Sequence, residues 1–304
     1  MKKVLVTGAR GFIGRQCLPL LAAKEYEIHA VSSQAVIELN NDIHWHQSDL
    51  LDKAQAESLF RQVKPSHLLH LAWCTESGDY RTSEKNLHWL KASIDLLYFF
   101  EKNGGQKALV AGTCAEYDWR YGFCSEFLTP LMPMSLYGAS KHSLQIISDA
   151  FARQTNLHLA WGRIFYLYGP FEPPQRIVPY VIRSLLKGKT TLCSHGDQIR
   201  DYMYVADVAD ALVTALDSEA KGPINIASGA PVAIKDIIVN IADQLNRPDL
   251  IQFGAIKTNQ NDPPMLAADI SRLSNEVGWR FKYSLNQGLE LTIRWWKNRN
   301  EDNY

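Results

Sequence analysis

Lys3-Val4-Leu5-Val6-Thr7-Gly8-Ala9-Arg10-Gly11-Phe12-Ile13-Gly14 is the stretch on which the fold turns. An apolar run enters a glycine turn, and a helical pattern starts from Phe12, which is the opening of a βαβ unit. Glycine is needed there for three reasons: the chain bends sharply, its backbone comes close to a pyrophosphate, and the helix packs tightly on the strand. The first turn of that helix then offers unpaired N–H groups to the anion. Gly8, Gly11 and Gly14, with Arg10, Phe12 and Ile13 between them, are therefore candidate dinucleotide ligands.

Outward from this turn, short apolar runs keep alternating with helical patterns. Strands are predicted near Lys3–Thr7, Glu27–Val31, Ile43–His46, His67–Leu71, Ala108–Gly112 and Leu157–Arg163. Helices are predicted from Phe12, around Ala54–Val63 and Ser83–Lys102, and from Leu136 to Gln154. This order implies an α/β fold, a doubly wound parallel sheet of the Rossmann kind with helices on both faces. After Arg163 a proline-rich loop breaks the alternation. A smaller C-terminal α/β lobe for substrate is expected over the strand ends; Asn225–Ala227 reads as another strand, and Ile234–Leu245 and Leu285–Lys297 read as helices. The implied division is a dinucleotide domain of 1–165 plus about 197–230, and a substrate lobe of about 166–196 and 231–304.

The bulk properties narrow the classes. The 304 residues carry 32 Lys+Arg against 32 Asp+Glu, so no basic footprint for nucleic acid or an anionic membrane is present. Five cysteines, odd in number and never spaced CxxC, argue against a disulfide framework or a thiolate metal site and fit reduced thiols in the cytoplasm. The N-terminus reaches glycine too soon for a signal peptide, and no apolar run is long enough to span a bilayer. His44 and His46 share a strand face and His67 and His70 lie close in sequence, but neither pair has a carboxylate or thiolate at ligand spacing, and no metal is expected.

A carboxylate at the end of the second strand would bind the adenosine ribose and favour NAD. That place reads Val31-Ser32-Ser33-Gln34. Arg10 could reach a 2′-phosphate and Ser32 and Ser33 could add hydrogen bonds, so NADP(H) is favoured and NAD(H) stays possible.

Tyr137 and Lys141 stand four residues apart at the start of a helix and project from one face. The ammonium should lower the phenol's pKa and make it a proton donor or acceptor. Thr113, at the end of the strand Ala108–Gly112, lies where an open α/β sheet places its crevice. Thr113, Tyr137 and Lys141 are the candidate catalytic set.

With these elements in place the chain resembles the extended short-chain dehydrogenase/reductases, in particular their nucleotide-sugar epimerase, dehydratase and reductase group. The resemblance runs through Gly8–Gly14, Ser48-Asp49-Leu50, His70-Leu71-Ala72, Asn86, Thr113 with Tyr117, Tyr137 with Lys141, Arg163 with Tyr168-Gly169-Pro170, Arg200-Asp201-Tyr202, Val205-Ala206-Asp207 and Asn225-Ile226-Ala227-Ser228-Gly229. It implies that Asp49 and Leu50 contact adenine, that Leu71 and Ala72 line the cofactor, and that Arg200 binds the diphosphate of a nucleotide-linked sugar. It also implies a homodimer through the Ser83–Lys102 and Tyr137 helices.

Three departures shape the expected reaction. Where family dehydratases follow the threonine with Asp-Glu, this chain has Cys114-Ala115, so elimination lacks its acid and base. Tyr166 stands where asparagine commonly touches substrate. Segment 260–264 lacks the second phosphate-binding arginine, for which Arg176 or Lys257 is a substitute. Cys114, Glu116 and Tyr166 are candidates for shaping the sugar pocket, with packing the favoured role for each. The expected activity is reduction of a 4-keto-6-deoxy sugar nucleotide; the alternatives are an epimerase with tightly held NAD and a non-catalytic nucleotide-sensing relative.

Overall fold

The computed structural model describes residues 2–35, 42–75, 80–257 and 262–299. Seven parallel strands form the central sheet: β1 (Lys3–Thr7), β2 (Glu27–Ser32), β3 (Ile43–Gln47), β4 (His67–His70), β5 (Lys107–Thr113), β6 (His158–Ile164) and β7 (Gly222–Ile226). Their order is β7-β6-β5-β4-β1-β2-β3. The winding reverses between β1 and β4, which leaves a crevice at the carboxyl ends of those two strands.

Helices cover both faces. On one, α1 (Gly14–Ala23) and α6 (Val205–Asp217) pack over β1 and β6 through Cys17, Leu21, Val208 and Leu212. On the other lie α2 (Lys53–Val63), α3 (Lys85–Lys102) and α4 (Leu136–Thr155), joined by Phe60, Leu96, Phe100, Leu144 and Trp161. The inner strands β1, β4, β5 and β6 are buried on both sides, as a sheet covered twice must be, whereas the edge strand β3 is partly exposed.

An outer group of elements sits against the carboxyl end. Helices α5 (Ile177–Leu186), α7 (Ile234–Gln244) and α8 (Leu285–Lys297) share a separate apolar core with Tyr168, Tyr202 and Tyr204. Short strands Tyr166–Tyr168 and Tyr202–Tyr204 pair with each other, and Ile199–Arg200 pairs with Met265–Ala268. Two buried carboxylates tie this group to the sheet. Asp201 accepts hydrogen bonds from Ser228 N and Oγ at 2.7 Å and from Gly229 N at 3.0 Å. Asp207 accepts from the amides of Lys282 and Tyr283 at 3.0–3.2 Å.

Candidate active site

At the crevice, the first glycine turn is shaped by backbone contact. Gly8 has φ +67°, and a Cβ there would sit 2.9 Å from Ala72 N; one on Gly14 would sit 2.2 Å from Gly8 O. No side chain larger than hydrogen fits either place, so β1, the start of α1 and the end of β4 close to within van der Waals contact. Helix α1 begins at Ile13 with no side-chain cap and no acidic residue in its first turn. Its leading amides are thus available to an anion. These residues fit the pyrophosphate of a dinucleotide.

His70 braces this corner. Thr7 Oγ accepts from Leu71 N at 3.1 Å and Ala72 N at 3.2 Å, and it lies 2.7 Å from His70 Nδ1, while His70 Nε2 lies 2.9 Å from Ser93 Oγ. With both lone pairs used, the Thr7 hydroxyl donates to Nδ1 and the ring donates from Nε2. Burial pulls the His70 pKa down to about 3, so the ring is a neutral strut between β1, β4 and α3.

Thr113 ends β5 and caps the turn that follows. Its Oγ accepts from Ala115 N at 3.2 Å, and its own N–H donates to Glu116 Oε1 at 2.8 Å. Glu116 is wholly buried and also accepts from Trp161 Nε1 at 3.0 Å and Arg163 Nε at 2.8 Å. Arg163 continues to Tyr117 Oη at 3.1 Å, and Tyr117 donates to Asn225 Oδ1 at 2.7 Å. Sequence placed Glu116 with Cys114 and Tyr166 at the sugar pocket. The structure turns it the other way, where Thr113 N, Trp161 Nε1 and Arg163 Nε together supply the donors that a buried carboxylate needs.

Ser135 starts α4 by accepting from Gly138 N at 3.1 Å. That cap puts Tyr137 in the first turn, facing the cleft, and Gly138 lets the helix approach: a Cβ on it would sit 2.3 Å from Ala115 O. Lys141, one turn on, is buried and donates to Ala111 O at 2.7 Å with its ammonium 3.8 Å from the centre of the Trp73 ring. Burial holds its pKa down at about 7. For Tyr137 the expected lowering is reversed: burial pushes the phenol up, and the charge of Tyr80 adds to it, while the Thr113 hydroxyl pulls the other way. The ammonium spends itself on Ala111 O and the indole rather than on the phenol.

One cleft of about 510 Å³ collects most of the expected residues: Gly8, Gly11, Phe12, Ile13 and Gly14; Leu71 and Ala72; Thr113 and Cys114; Tyr137 and Lys141; Tyr166 and Arg176. Cys114 is buried, and burial raises its thiol to about 12, so it is a neutral wall. Besides Glu116 and the exposed Lys257, six expected residues are not on that wall. Arg10, Ser33 and Asp49 are exposed, Ser32 is half-buried, and Leu50 lies in the core beneath α2. Asp49 Oδ1 accepts from Leu51 N at 3.0 Å, a local turn. Arg200 is 1% exposed and pairs with Asp262 at 2.8 Å, with its guanidinium over the Tyr166 ring at 5.5 Å. Of segment 260–264, Gln260 and Asn261 lie outside the described residues.

Sequence reasoning missed Trp73, Tyr80, Arg81, Glu172 and Tyr202, all of which line the cleft. Tyr80 stands edge-on to Tyr137 with centroids 5.2 Å apart, and Arg176 rests over the Tyr80 ring at 5.3 Å. Burial lifts the Glu172 carboxyl to about 8, the neutral form near pH 7. A tryptophan directly after His70-Leu71-Ala72 was the one readable signal, since a bulky ring there must enter the crevice.

The family model for the NAD dependent epimerase/dehydratase family matches residues 4–227, from β1 through β7. The chain belongs to that family, a family of enzymes. Among its relatives is a probable dTDP-glucose 4,6-dehydratase of Sinorhizobium fredii (strain NBRC 101917 / NGR234), 24% identical over 324 residues that span 97% of this chain and 92% of the relative. Another is the CDP-abequose synthase of Salmonella typhimurium, 24% identical, with 96% and 97% covered. A solved structure of UDP-glucuronic acid 4-epimerase from Bacillus cereus, in complex with UDP-glucuronic acid and NAD, superposes with TM-score 0.82 at 25% identity and covers 97% of this chain and 99% of its own. Among the described residues no helix is long and apolar enough to cross a membrane.

Proposed function

We propose that this member of the family reduces a 4-keto-6-deoxy sugar carried on a nucleoside diphosphate, with NADP(H) favoured and NAD(H) the alternative. The observation that carries the reading is the meeting of Thr113, Tyr137 and Lys141 over the Gly8–Gly14 turn, on a wall whose next residues, Cys114 and Ala115, hold no acid or base for elimination. A reduced nicotinamide bound across that turn supplies the hydride. Tyr137 gives its proton to the carbonyl oxygen as negative charge grows there, and Thr113 donates a hydrogen bond to the same oxygen. The ketone thus gains a hydride and a proton and becomes an alcohol, and Tyr137 recovers its proton from solvent. Lys141, one turn beyond Tyr137 on the cleft wall, would hold the ribose hydroxyls. Arg176 and Arg81 take the anionic end of the substrate, while Arg200 acts at one remove, through Tyr166.

NADP(H) is favoured because the end of β2, at Ser32 and Ser33, offers no carboxylate to a ribose 2′-hydroxyl. The likeness to an epimerase structure with NAD bound favours a second reading, epimerisation with retained NAD. A homodimer fits the exposed apolar side chains Leu87 and Tyr98 of α3 and Ile146 and Ile147 of α4, two helices packed side by side.

The test is mass spectrometry of ligands released from fresh protein, paired with NADPH and NADH oxidation against thymidine-, guanosine-, cytidine- and uridine-linked 4-keto sugars. Stoichiometric NADPH oxidation by one of these, with no retained NAD, is the expected result. Retained NAD with sugar epimerisation and no need of added cofactor would replace this reading with the second. Inertness to every sugar, even though dinucleotide binds, would leave a nucleotide-sensing protein.

A further inference from the structure

We propose a divalent transition-metal site at the far edge of the sheet, made by Glu27 and His29 of β2 and His44 of β3. The linear sequence sets Glu27 beside His29, but nothing in it brings His44 to them. The parallel register pairs His29 with His44, and the two-residue period of β2 puts Glu27 on the same face as His29. One ligand atom from each of the three lies within 4.8 Å of the other two. Around a tetrahedral zinc the donors stand roughly 3.4 Å apart, given metal–ligand bonds of about 2.0–2.2 Å. His44 is exposed and closes the remaining gap by a rotamer change, which leaves the fourth position to water.

His46 supplies the outer support that imidazole ligands need. Its Nε2 lies 2.8 Å from His29 Nδ1, while His29 Nε2 lies 2.9 Å from Glu27 Oε1. The pair has two self-consistent proton arrangements. Without metal, His46 donates to His29 and His29 donates to Glu27. With metal, His29 donates from Nδ1 to His46 and turns the Nε2 lone pair toward the ion that Glu27 shares, the arrangement by which a second imidazole fixes a ligand's tautomer. Lys3 now sits 3.3 Å from Glu27 Oε1; it also donates to Val63 O at 3.2 Å and keeps that bond when a dication takes over the carboxylate.

Two imidazoles and one carboxylate suit zinc, cobalt, nickel or copper rather than magnesium or calcium. Glu27 lies at the opposite end of β2 from Ser32, roughly 16 Å from the crevice at about 3.3 Å per residue. The ion would staple the edge strand β3 to β2 and take no part in hydride transfer.

The test titrates zinc into the EDTA-stripped, desalted full chain against a chromogenic chelator and follows the melting temperature. The expected result is one saturable equivalent and a rise in melting temperature. His44→Ala and Glu27→Gln should each weaken binding by about tenfold or more and abolish the rise. His44 is exposed, and its metal-free variant should melt as the parent does; Glu27 is half-buried and bonded to His29 and Lys3, so its variant is judged by zinc affinity and by the zinc-induced rise alone; His88→Ala, an exposed histidine on α3, should bind as the parent does. Parent-like affinity in either ligand variant, or no saturable binding by the parent, overturns the proposal.

Discussion

Thr113 stands at the end of a buried strand with a carboxylate, an indole and a guanidinium bonded behind it, whereas Arg176, across the same cleft, is exposed and rests on the ring of Tyr80. One wall is set before any ligand arrives; the other is solvated and held by side chains alone. The difference teaches where a fold of this kind keeps its chemistry and where it keeps its selectivity. Groups aimed at a developing charge lose efficiency if they must reorganise, so they belong on the rigid wall. Groups that choose among substrates need only favour one over another, and the outer wall can change without disturbing the sheet.

Breaking the rigid wall should have the largest effects. Tyr137→Phe removes the proposed proton donor and should lower kcat by about 10²–10⁴-fold with cofactor affinity nearly unchanged, read by steady-state rates and dinucleotide titration. Turnover within a few-fold of the parent would remove the tyrosine from the mechanism. Glu116→Gln leaves Arg163 buried beside a neutral amide and should cost about 3–5 kcal/mol in a urea melt, with a lower kcat because Thr113 loses its anchor. A loss confined to substrate KM would mean that Glu116 belongs to the pocket after all.

Changes on the outer wall should be smaller and should split differently. Arg176→Gln should raise substrate KM roughly tenfold, the worth of a charged hydrogen bond, and leave the KM of the cofactor and the melting temperature alone. An equal rise for the cofactor would place Arg176 on the dinucleotide instead.

The smallest effect sharpens the account of Lys141. Its folded pKa is near 7, against about 10.4 in an unfolded chain. Between those values the unfolded state binds more protons, so stability rises with pH across that window, and below it the full cost of the buried charge is paid. Lys141→Met removes that cost. Its gain in melting temperature should be greatest below about pH 7 and shrink toward pH 10; a gain independent of pH would mean that the ammonium is not strained by burial.

The sheet was legible because six of its strands are five or more residues long or are bounded by clear turns, and every one from β1 to β6 was placed within a residue or so of its observed ends. The seventh was expected at Asn225–Ala227 and begins earlier, at Gly222, where Pro223 masks the pattern. The outer group was legible only in its long helices α7 and α8. Strands such as Tyr166–Tyr168 and Tyr202–Tyr204 are too short to display a period of two, and their pairing joins residues far apart in the chain. The same distance hid the Arg200–Asp262 pair and the meeting of Glu27 with His44. In the site, glycine turn, threonine, tyrosine and lysine could be read because each sits at an element boundary. Glu116 could not, since only Arg163 and Trp161 decide which way it turns.

The carboxylates of Asp201 and Asp207 carry a consequence for anyone who would trade parts between relatives. Each belongs to the segment between β6 and β7, yet its amide donors come from later in the chain, at 228–229 and 282–283. A chimera spliced at the end of β7 would import a foreign tail and risk stranding both acids in the interior. A transplant that carries residues 199–207 and 228–283 from one parent would keep donor and acceptor together, and selectivity could then be exchanged as a cassette.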